Sequence, residues 1–334
     1  MDNPIVIASI ISALGALTIA IWSYFTNKKT NKSLEEFKSE LADKKADKDA
    51  RREYEFEAKK RLYHEFEPLL FQLVELSDHS IHRIQSLARS AKHGNLTDDN
   101  GWLSQFNYYT KSTIYKLLAP LAVFQLMQKR VTLVDLNTDH RIEIYYLLTK
   151  QLYLSYTDDF EFARLHHSID YDPNNIEWEE LRTQNPTKYW RQGLPMGLLD
   201  KCVDMLLEKD DTGQKYLISY GEFERKIGNI SNKEKSDIHL MRDIFFNFHP
   251  HSRPVLWRIL IAQYQILNTI LELKKLDFQE VTDSKLSEIL LNFSNEDLKK
   301  CNWSQQPATD EIKEPFKVAI DYLGRRFKSP TNTK

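Results

Sequence analysis

An uncharged and mostly apolar stretch near the N-terminus, from Ile5 to Phe25, constrains this chain more than any other feature. As an α-helix it would be roughly 31 Å long, which matches the roughly 30 Å hydrocarbon core of a bilayer. The stretch therefore predicts a transmembrane helix over residues 5–25, with residues 1–4 as a short segment outside the cytoplasm.

Two other interpretations of the stretch are a cleaved signal peptide and a buried core helix. A signal peptide needs basic residues before a shorter apolar core and small residues at its cleavage site. Here the acid Asp2 precedes the stretch, and the bulky Trp22 and Tyr24 stand near its end. A core helix rarely keeps an apolar run of this length without a charge, so the transmembrane interpretation is favoured.

The residues that follow the stretch indicate its direction in the membrane. Lys28, Lys29 and Lys32 come directly after it. Positive residues beside a membrane helix stay in the cytoplasm. We therefore expect a single-pass protein of the cell inner membrane, with the N-terminus outside and the body in the cytoplasm.

A row of small side chains lies along one face of the predicted membrane helix. Its members are Ala8, Ser12, Ala16 and Ala20. Small residues let membrane helices approach closely, so the row predicts self-association within the bilayer. The alternative is that alanine and serine are simply common in membrane helices, and Gly15 lies one residue off the row.

Residues 26–67 are densely charged and contain neither glycine nor proline. Acid-then-base pairs four residues apart favour a helix there; they are Glu40–Lys44, Asp47–Arg51, Glu55–Lys59 and Glu57–Arg61. Ser33 with Glu36 fits a capping box. The heptad positions after Leu41 are basic, so a sustained coiled coil is excluded. We predict a solvated helical stalk, with a partly helical linker as the alternative.

From residue 68 onward, apolar residues recur at spacings of three and four, which is typical of amphipathic helices. The sequence thus predicts an all-α cytoplasmic body made of several helices. The predicted helices run from about residue 69 to the loop at Gly94 and then over 102–128, 141–156, 194–207, 233–246, 254–274 and 312–327. Pro120 predicts a kink or a break after Leu118. Residues 131–136 and 216–220 are the candidates for short strands.

The irregular segment from Asp170 to Pro195 predicts a boundary within the body, because loops of that length are usually functional or separate domains. The body then has a first part over 68–170 and a second part over 171–328, followed by a tail over 329–334. Cys202 and Cys301 lack any paired spacing, so we expect reduced thiols and no metal site built on them. A net charge of −2 argues against a body dominated by nucleic-acid binding.

The sharpest candidate for chemistry is the pair His249 and His251 between two apolar helices. Two imidazoles one residue apart can bind a metal ion if Asp243, His239 or another carboxylate supplies a third ligand. The structural alternative is a helix connection whose histidine and arginine side chains cap neighbouring helix ends.

Two weaker candidates lie between the predicted helices. Asp158 and Asp159, close to two histidines, suit acid–base work, although acids also favour helix N-termini. The other candidate is a set of basic and glycine residues that could receive an anion at a helix start, without any nucleotide-binding fingerprint. Its members are Arg182, Lys188, Arg191 and Gly193.

None of these patterns is a catalytic motif, and none implies a cofactor. The sequence therefore predicts a membrane-anchored, non-enzymatic sensor, effector or interaction module that acts through oligomerisation, in bacterial defence or signalling. Its partners would be the lipid bilayer, further copies of the chain and an unknown protein or small ligand. A membrane-tethered metal-dependent hydrolase or nuclease, and a scaffold subunit of a membrane complex, are the alternatives.

Overall fold

The computed structural model describes residues 4–97, 101–132, 134–157, 196–228, 235–276, 281–292, 294–308 and 310–327; the side chains of residues 4–11 are outside this description. These residues are almost entirely helical, which confirms the all-α prediction. The helices are α1 (Pro4–Lys92), α2 (Tyr108–Val131), a 3-10 turn (Leu136–Thr138), α3 (His140–Leu154), α4 (Met196–Asp204), α5 (Tyr220–Gly228), α6 (Lys235–Phe245), α7 (Pro254–Lys274), α8 (Asp283–Leu291), α9 (Asn295–Lys300) and α10 (Asp310–Arg326).

The chain divides into two compact units, residues 1–60 and residues 61–334. The first unit is helical from Pro4, and its side chains from residue 12 onward are exposed except for the half-buried Ala58. The helix passes through Ser33, so the predicted capping box is wrong: the Ser33 hydroxyl donates to the carbonyl of Thr30 at 3.3 Å instead.

Ion pairs along this exposed helix follow the expected spacing only in part. Lys44 and Glu40 pair at 2.6 Å, as predicted. Arg51 pairs with Glu55 at 3.1 Å, on the C-terminal side, rather than with Asp47. Pairs this exposed contribute a few tenths of a kcal/mol each, on the order of what an isolated helix gains.

No helix within the described residues carries an apolar stretch long enough to cross a membrane. The transmembrane helix expected over residues 5–25 is therefore not supported by the structure. The side chains of residues 5–11, Ala8 among them, lie outside the description. The remaining members of the small-residue row, Ser12, Ala16 and Ala20, are exposed on α1.

Helix α7 is the centre of the core of the second unit. Every residue from Val255 to Leu267 is buried, and the helix packs against α3, α8 and α10. Pro254 stands at its first turn, where proline was expected. A helix that is buried all round needs cover on every side. The surrounding helices supply that cover.

A polar side chain of α7 also fixes a neighbouring helix. The Gln265 amide nitrogen donates to the carbonyls of Ile289 and Leu290 at 3.0 and 2.7 Å. These carbonyls belong to the last turn of α8, where the helix itself offers no donors. Burial of the Gln265 amide nitrogen is therefore compatible with the apolar core, because these carbonyls accept its hydrogen bonds.

Helix α2 runs through Pro120 to Val131 without the predicted break. Proline lacks an N–H, so the carbonyl four residues earlier, that of Lys116, loses its usual partner. The Ser80 hydroxyl of α1 donates to this carbonyl at 2.5 Å. A tertiary contact thus replaces the missing helical hydrogen bond.

A short hairpin is the one departure from helix among the ordered elements described. Strands β1 (Leu207–Lys209) and β2 (Lys215–Leu217) pair antiparallel, with Leu207 opposite Leu217. In the turn, the Asp210 carboxylate accepts hydrogen bonds from two backbone N–H groups at 2.9 Å each. Gly213 takes a φ of +82°, which other residues rarely adopt. The predicted helix over 194–207 accordingly ends at Asp204.

The central position of α7 predicts a large difference between two leucine truncations. Leu260 is fully buried on α7, whereas Leu147 on α3 is 39% exposed. Leu260→Ala should lower the free energy of unfolding by about 2–5 kcal/mol, and Leu147→Ala by about 1 kcal/mol or less. Urea unfolding of the detergent-solubilised full chain measures both values. Equal losses would show that α7 does not form the core.

Candidate functional site

His249 and His251 both contact the indole ring of Trp303. The ring centroids lie 5.5 Å apart for His249 and 6.0 Å apart for His251. The backbone N–H of His251 donates to Nδ1 of His249 at 3.1 Å, which occupies one imidazole nitrogen of His249. The two rings are therefore part of a packed helix connection.

Among the residues that the structure describes, the third ligand that a metal would need is not found with these histidines. The Asp243 carboxylate pairs with the guanidinium of Arg242 at 3.0 Å. Across the described ranges, no group of three or more histidine, cysteine, aspartate or glutamate side chains is arranged to hold a metal ion. The two histidines thus give no support to the hydrolase or nuclease alternative.

Arg253 fits the structural alternative, in which side chains of this connection cap neighbouring helix ends. Arg253 is buried, and its Nη1 donates to the carbonyl of Ile244 at 2.5 Å. This carbonyl lies in the last turn of α6, which the helix cannot satisfy by itself. Asn247 follows with a φ of 49°, in the left-handed region typical of helix ends. Arg253 therefore caps α6.

The other predicted site residues lie outside the described residues. They are Asp158, Asp159, Arg182, Lys188, Arg191 and Gly193. The structure neither brings them together nor separates them.

A cavity of about 320 Å³ in the second unit is the strongest candidate for a functional site. Basic side chains dominate its lining, and two side-chain amides complete it. The lining residues are Gln85, Arg89, Lys92, His93, Lys299, Lys300 and Asn302. We call this site the cationic cavity.

The end of α1 supplies one side of the cationic cavity. Asn95 N–H donates to the carbonyl of Ser90 at 2.8 Å, and Gly94 N–H to that of Ala91 at 3.0 Å. Gly94 adopts a φ of +71°. These features form a Schellman motif, which ends the helix and holds Lys92 and His93 at the cavity. The predicted end of this helix at Gly94 is confirmed.

The short helix α9 also lines the cationic cavity, and the buried Tyr264 holds this helix in place. The Tyr264 hydroxyl on α7 donates to the Asp297 carboxylate at 2.6 Å and also hydrogen-bonds the side chain of Gln85. Burial, with the neighbouring carboxylate, raises the pKa of Tyr264. Ser294 and Asp297 form a capping box at the start of α9. Tyr264 therefore contacts both helices that line the cavity: α1 through Gln85 and α9 through Asp297.

The segment after α9 continues the lining and contacts α1 directly. The Gln305 amide nitrogen donates to the backbone carbonyl of Lys92. The Asn302 side chain donates to the carbonyl of Gln306 at 3.2 Å and accepts from the N–H of Ser304 at 3.0 Å. Cys301 is a buried, free thiol whose pKa is raised by burial. It is thus a packed residue rather than a reactive one.

The cations of the cavity are not neutralised within the part of the chain that the structure describes. None of its five basic side chains forms an ion pair with a described carboxylate. The nearby Asp297 carboxylate is engaged by the hydroxyls of Tyr264 and Ser294. Arginine and lysine side chains that line one cavity are suited to bind an anion.

Sequence reasoning missed the cationic cavity for a physical reason. Arg89 and Lys92 lie in the last turn of a helix, where basic residues are expected to favour the helix dipole. Lys299 and Lys300 lie in the last turn of α9, a helix of six residues with no apolar periodicity strong enough to predict it. Only the tertiary fold brings the two ends together.

Comparisons with protein families, with curated proteins and with solved structures find no match for this chain.

The Tyr264 contact predicts a measurable loss on removal of one hydroxyl. Tyr264→Phe should lower the free energy of unfolding by about 1.5–3 kcal/mol, since a hydrogen bond to a charged group is lost and Asp297 loses a partner. Tyr216→Phe, on the 39% exposed Tyr216, is the matched control and should change little. Thermal unfolding of the full chain in detergent compares the two variants, and equal shifts would contradict the role of Tyr264.

The pH dependence of the same variants gives a second readout. Because the pKa of Tyr264 is raised in the folded chain, the unfolded chain releases this proton first, near the ordinary tyrosine pKa of 10.0. The stabilisation is complete below that pH and is lost as the pH rises above it. Tyr264→Phe should therefore lose less stability than wild type between about pH 9.5 and pH 11.

Proposed function

We propose that the protein is a membrane-anchored helical recognition module that binds an anionic ligand or partner in the cationic cavity. The observation that carries this proposal is that five basic residues line one cavity and form no ion pair with a carboxylate among the described residues. Like charges at close range repel, so such a cluster favours binding of an opposite charge. The module is proposed as a binder because basic residues dominate the lining of its cavity, whereas catalysis needs a nucleophile, base or metal in mutual reach.

The membrane anchor in this proposal rests on the sequence of residues 5–25 and on exposed apolar side chains of α1, since no described helix has an apolar stretch of spanning length. Leu17, Ile19 and Trp22 are 59%, 71% and 77% exposed in the first unit. Exposed apolar surface of this extent favours contact with a membrane or another protein. The lysines at residues 28 and 29 favour the orientation with the body in the cytoplasm.

We place the output of the module in self-association within the membrane. Ser12, Ala16 and Ala20 form an exposed row of small side chains on α1. Rows of this kind allow close helix contacts in bilayers. A bacterial defence or signalling effector would use ligand binding by the body to control such an assembly, a role that rests on architecture alone.

Membrane anchoring predicts that two lysines in the apolar stretch will release the protein. The full chain should sediment with membranes of a bacterial host and resist alkaline carbonate extraction. Leu14→Lys with Leu17→Lys should make it extractable, because each lysine at the bilayer centre costs about 2.5–3.5 kcal/mol. The control pair is Leu34→Lys with Leu41→Lys, which should stay in the pellet. Extraction of the wild-type chain would disprove the anchor.

Anion recognition predicts that inorganic phosphate stabilises the folded chain. At a concentration of 100 times its Kd, a ligand adds about 2.7 kcal/mol to the free energy of unfolding. Phosphate at fixed ionic strength should raise the Tm of the detergent-solubilised wild type. The Arg89→Ala, Lys299→Ala variant should show little of this rise.

The control for this measurement is the Lys150→Ala, Lys317→Ala variant, which removes the same charge from exposed positions on α3 and α10. It should respond to phosphate as the wild type does. An equal response from both double variants would mean that phosphate acts elsewhere, and the proposed recognition site would be wrong.

A further inference from the structure

We infer that the cationic cavity takes a small ligand that carries two or more phosphate groups. This inference rests on the proposed recognition function and names the chemical class of the ligand. It follows from the charge of the cavity, from the types and placement of its donors, and from its size.

The charge of the cavity exceeds what a single acid group can neutralise. Arg89, Lys92, Lys299 and Lys300 bring four cationic side chains to the cavity. A carboxylate brings one negative charge, whereas a phosphate monoester brings about 1.5 to 2 and three acceptor oxygens. Two phosphates therefore match the charge of the four cations.

The donors come from two helices that both line the cavity. Arg89 and Lys92 are three residues apart on α1 and so share a helix face. Lys299 and Lys300 close α9. The planar guanidinium can bind two phosphate oxygens at once, and the ammonium groups adapt as point charges. Each helix can hold one phosphate, which favours a ligand that bridges α1 and α9.

The two amides in the lining are engaged within the protein. Gln85 hydrogen-bonds the Tyr264 hydroxyl, and Asn302 donates to the carbonyl of Gln306 and accepts from the N–H of Ser304. Recognition in the cavity therefore depends on its cations, which favours phosphate groups over neutral polar groups.

The size and lining of the cavity favour a compact molecule over a nucleic acid. A volume of about 320 Å³ lies at the lower end of the range for small-molecule sites. Single-stranded nucleic acids are usually held by aromatic rings that stack on successive bases. Of the lining residues, only His93 offers a ring. The cavity therefore lacks the stacking surface that a polynucleotide would use.

Hydrogen bonds around Tyr264 join the two helices that carry these cations. Its hydroxyl joins Asp297 of α9 and Gln85 of α1, and Gln305 bonds the carbonyl of Lys92. Arg89 and Lys92 are like charges three residues apart on α1, which is unfavourable until an anion neutralises them. Phosphate binding should consequently tighten the contact between α1 and α9.

Titration calorimetry of the detergent-solubilised full chain at fixed ionic strength tests the inference. The probes are inorganic phosphate, pyrophosphate and tripolyphosphate. Affinity should rise by about tenfold with each added phosphate, as expected when further charge-assisted hydrogen bonds form. Arg89→Ala with Lys299→Ala should abolish this rise, and Arg89→Lys with Lys299→Arg should retain most of it. Lys150→Ala with Lys317→Ala should bind as the wild type does.

The outcomes separate this inference from the proposed function. If phosphate binds in the cavity but pyrophosphate and tripolyphosphate bind no more tightly, the inference is wrong and anion recognition stands. If no anion binds in a way that depends on Arg89 and Lys299, both are wrong. Thermal unfolding without ligand checks that the alanine variants are folded. Tighter binding of a single-stranded oligonucleotide than of tripolyphosphate would also overturn the inference.

The phosphates can belong to a soluble molecule or to a lipid headgroup, and reconstitution distinguishes these sources. The full chain is placed in phosphatidylcholine vesicles with and without a few per cent of a bisphosphorylated phosphoinositide. A weaker apparent affinity for tripolyphosphate in the second vesicles assigns the cavity to the headgroup. An unchanged affinity assigns it to the soluble ligand. Both results retain the polyphosphate chemistry.

Discussion

The burial of helix α7 on all sides is the constraint on which the second unit depends. An apolar helix of this length is stable in water only when other helices cover it. Polar side chains of α7 then fix the positions of neighbouring helices through hydrogen bonds. Gln265 holds the end of α8, and Tyr264 holds α9 through Asp297. The same packing that builds the core therefore positions one side of the cationic cavity.

Features that depend on local chemistry could be predicted from the sequence. The apolar periodicity gave most of the helices of the body. Gly94 marked the end of α1, because a left-handed residue is needed to close a Schellman motif there. Pro254 marked the start of α7, because proline is tolerated at the first turn. Each of these signals acts within a few residues of the chain.

Features that depend on distant partners could not be predicted in this way. Pro120 has a local tendency to break α2, but Ser80 supplies the hydrogen bond that the proline removes. Ser33 resembles a helix start only if the preceding residues are not helical, and here they are. Lys92 and Gln305 are 213 residues apart in the sequence and are joined at the cavity. Sequence spacing gives no sign of such a junction.

The proposed function joins two features of the protein. The apolar stretch of the sequence and the lysines after it are the basis of the proposed membrane anchor, and the cationic cavity of the fold is the basis of the proposed phosphate recognition. The cavity lies where α1 ends, so a ligand there acts on the last turn of the helix that begins with the proposed anchor. We infer that an anion with several phosphates draws the ends of α1 and α9 together.

Hydrogen-exchange mass spectrometry of the full chain, with and without tripolyphosphate, tests this claim most directly. Amide exchange reports local opening, which slows where a ligand holds two elements together. We expect slower amide exchange at residues 89–93 and 299–306 with tripolyphosphate, and unchanged exchange in the hairpin over residues 207–217. Unchanged exchange at both helix ends, or protection confined to other parts of the chain, would contradict it.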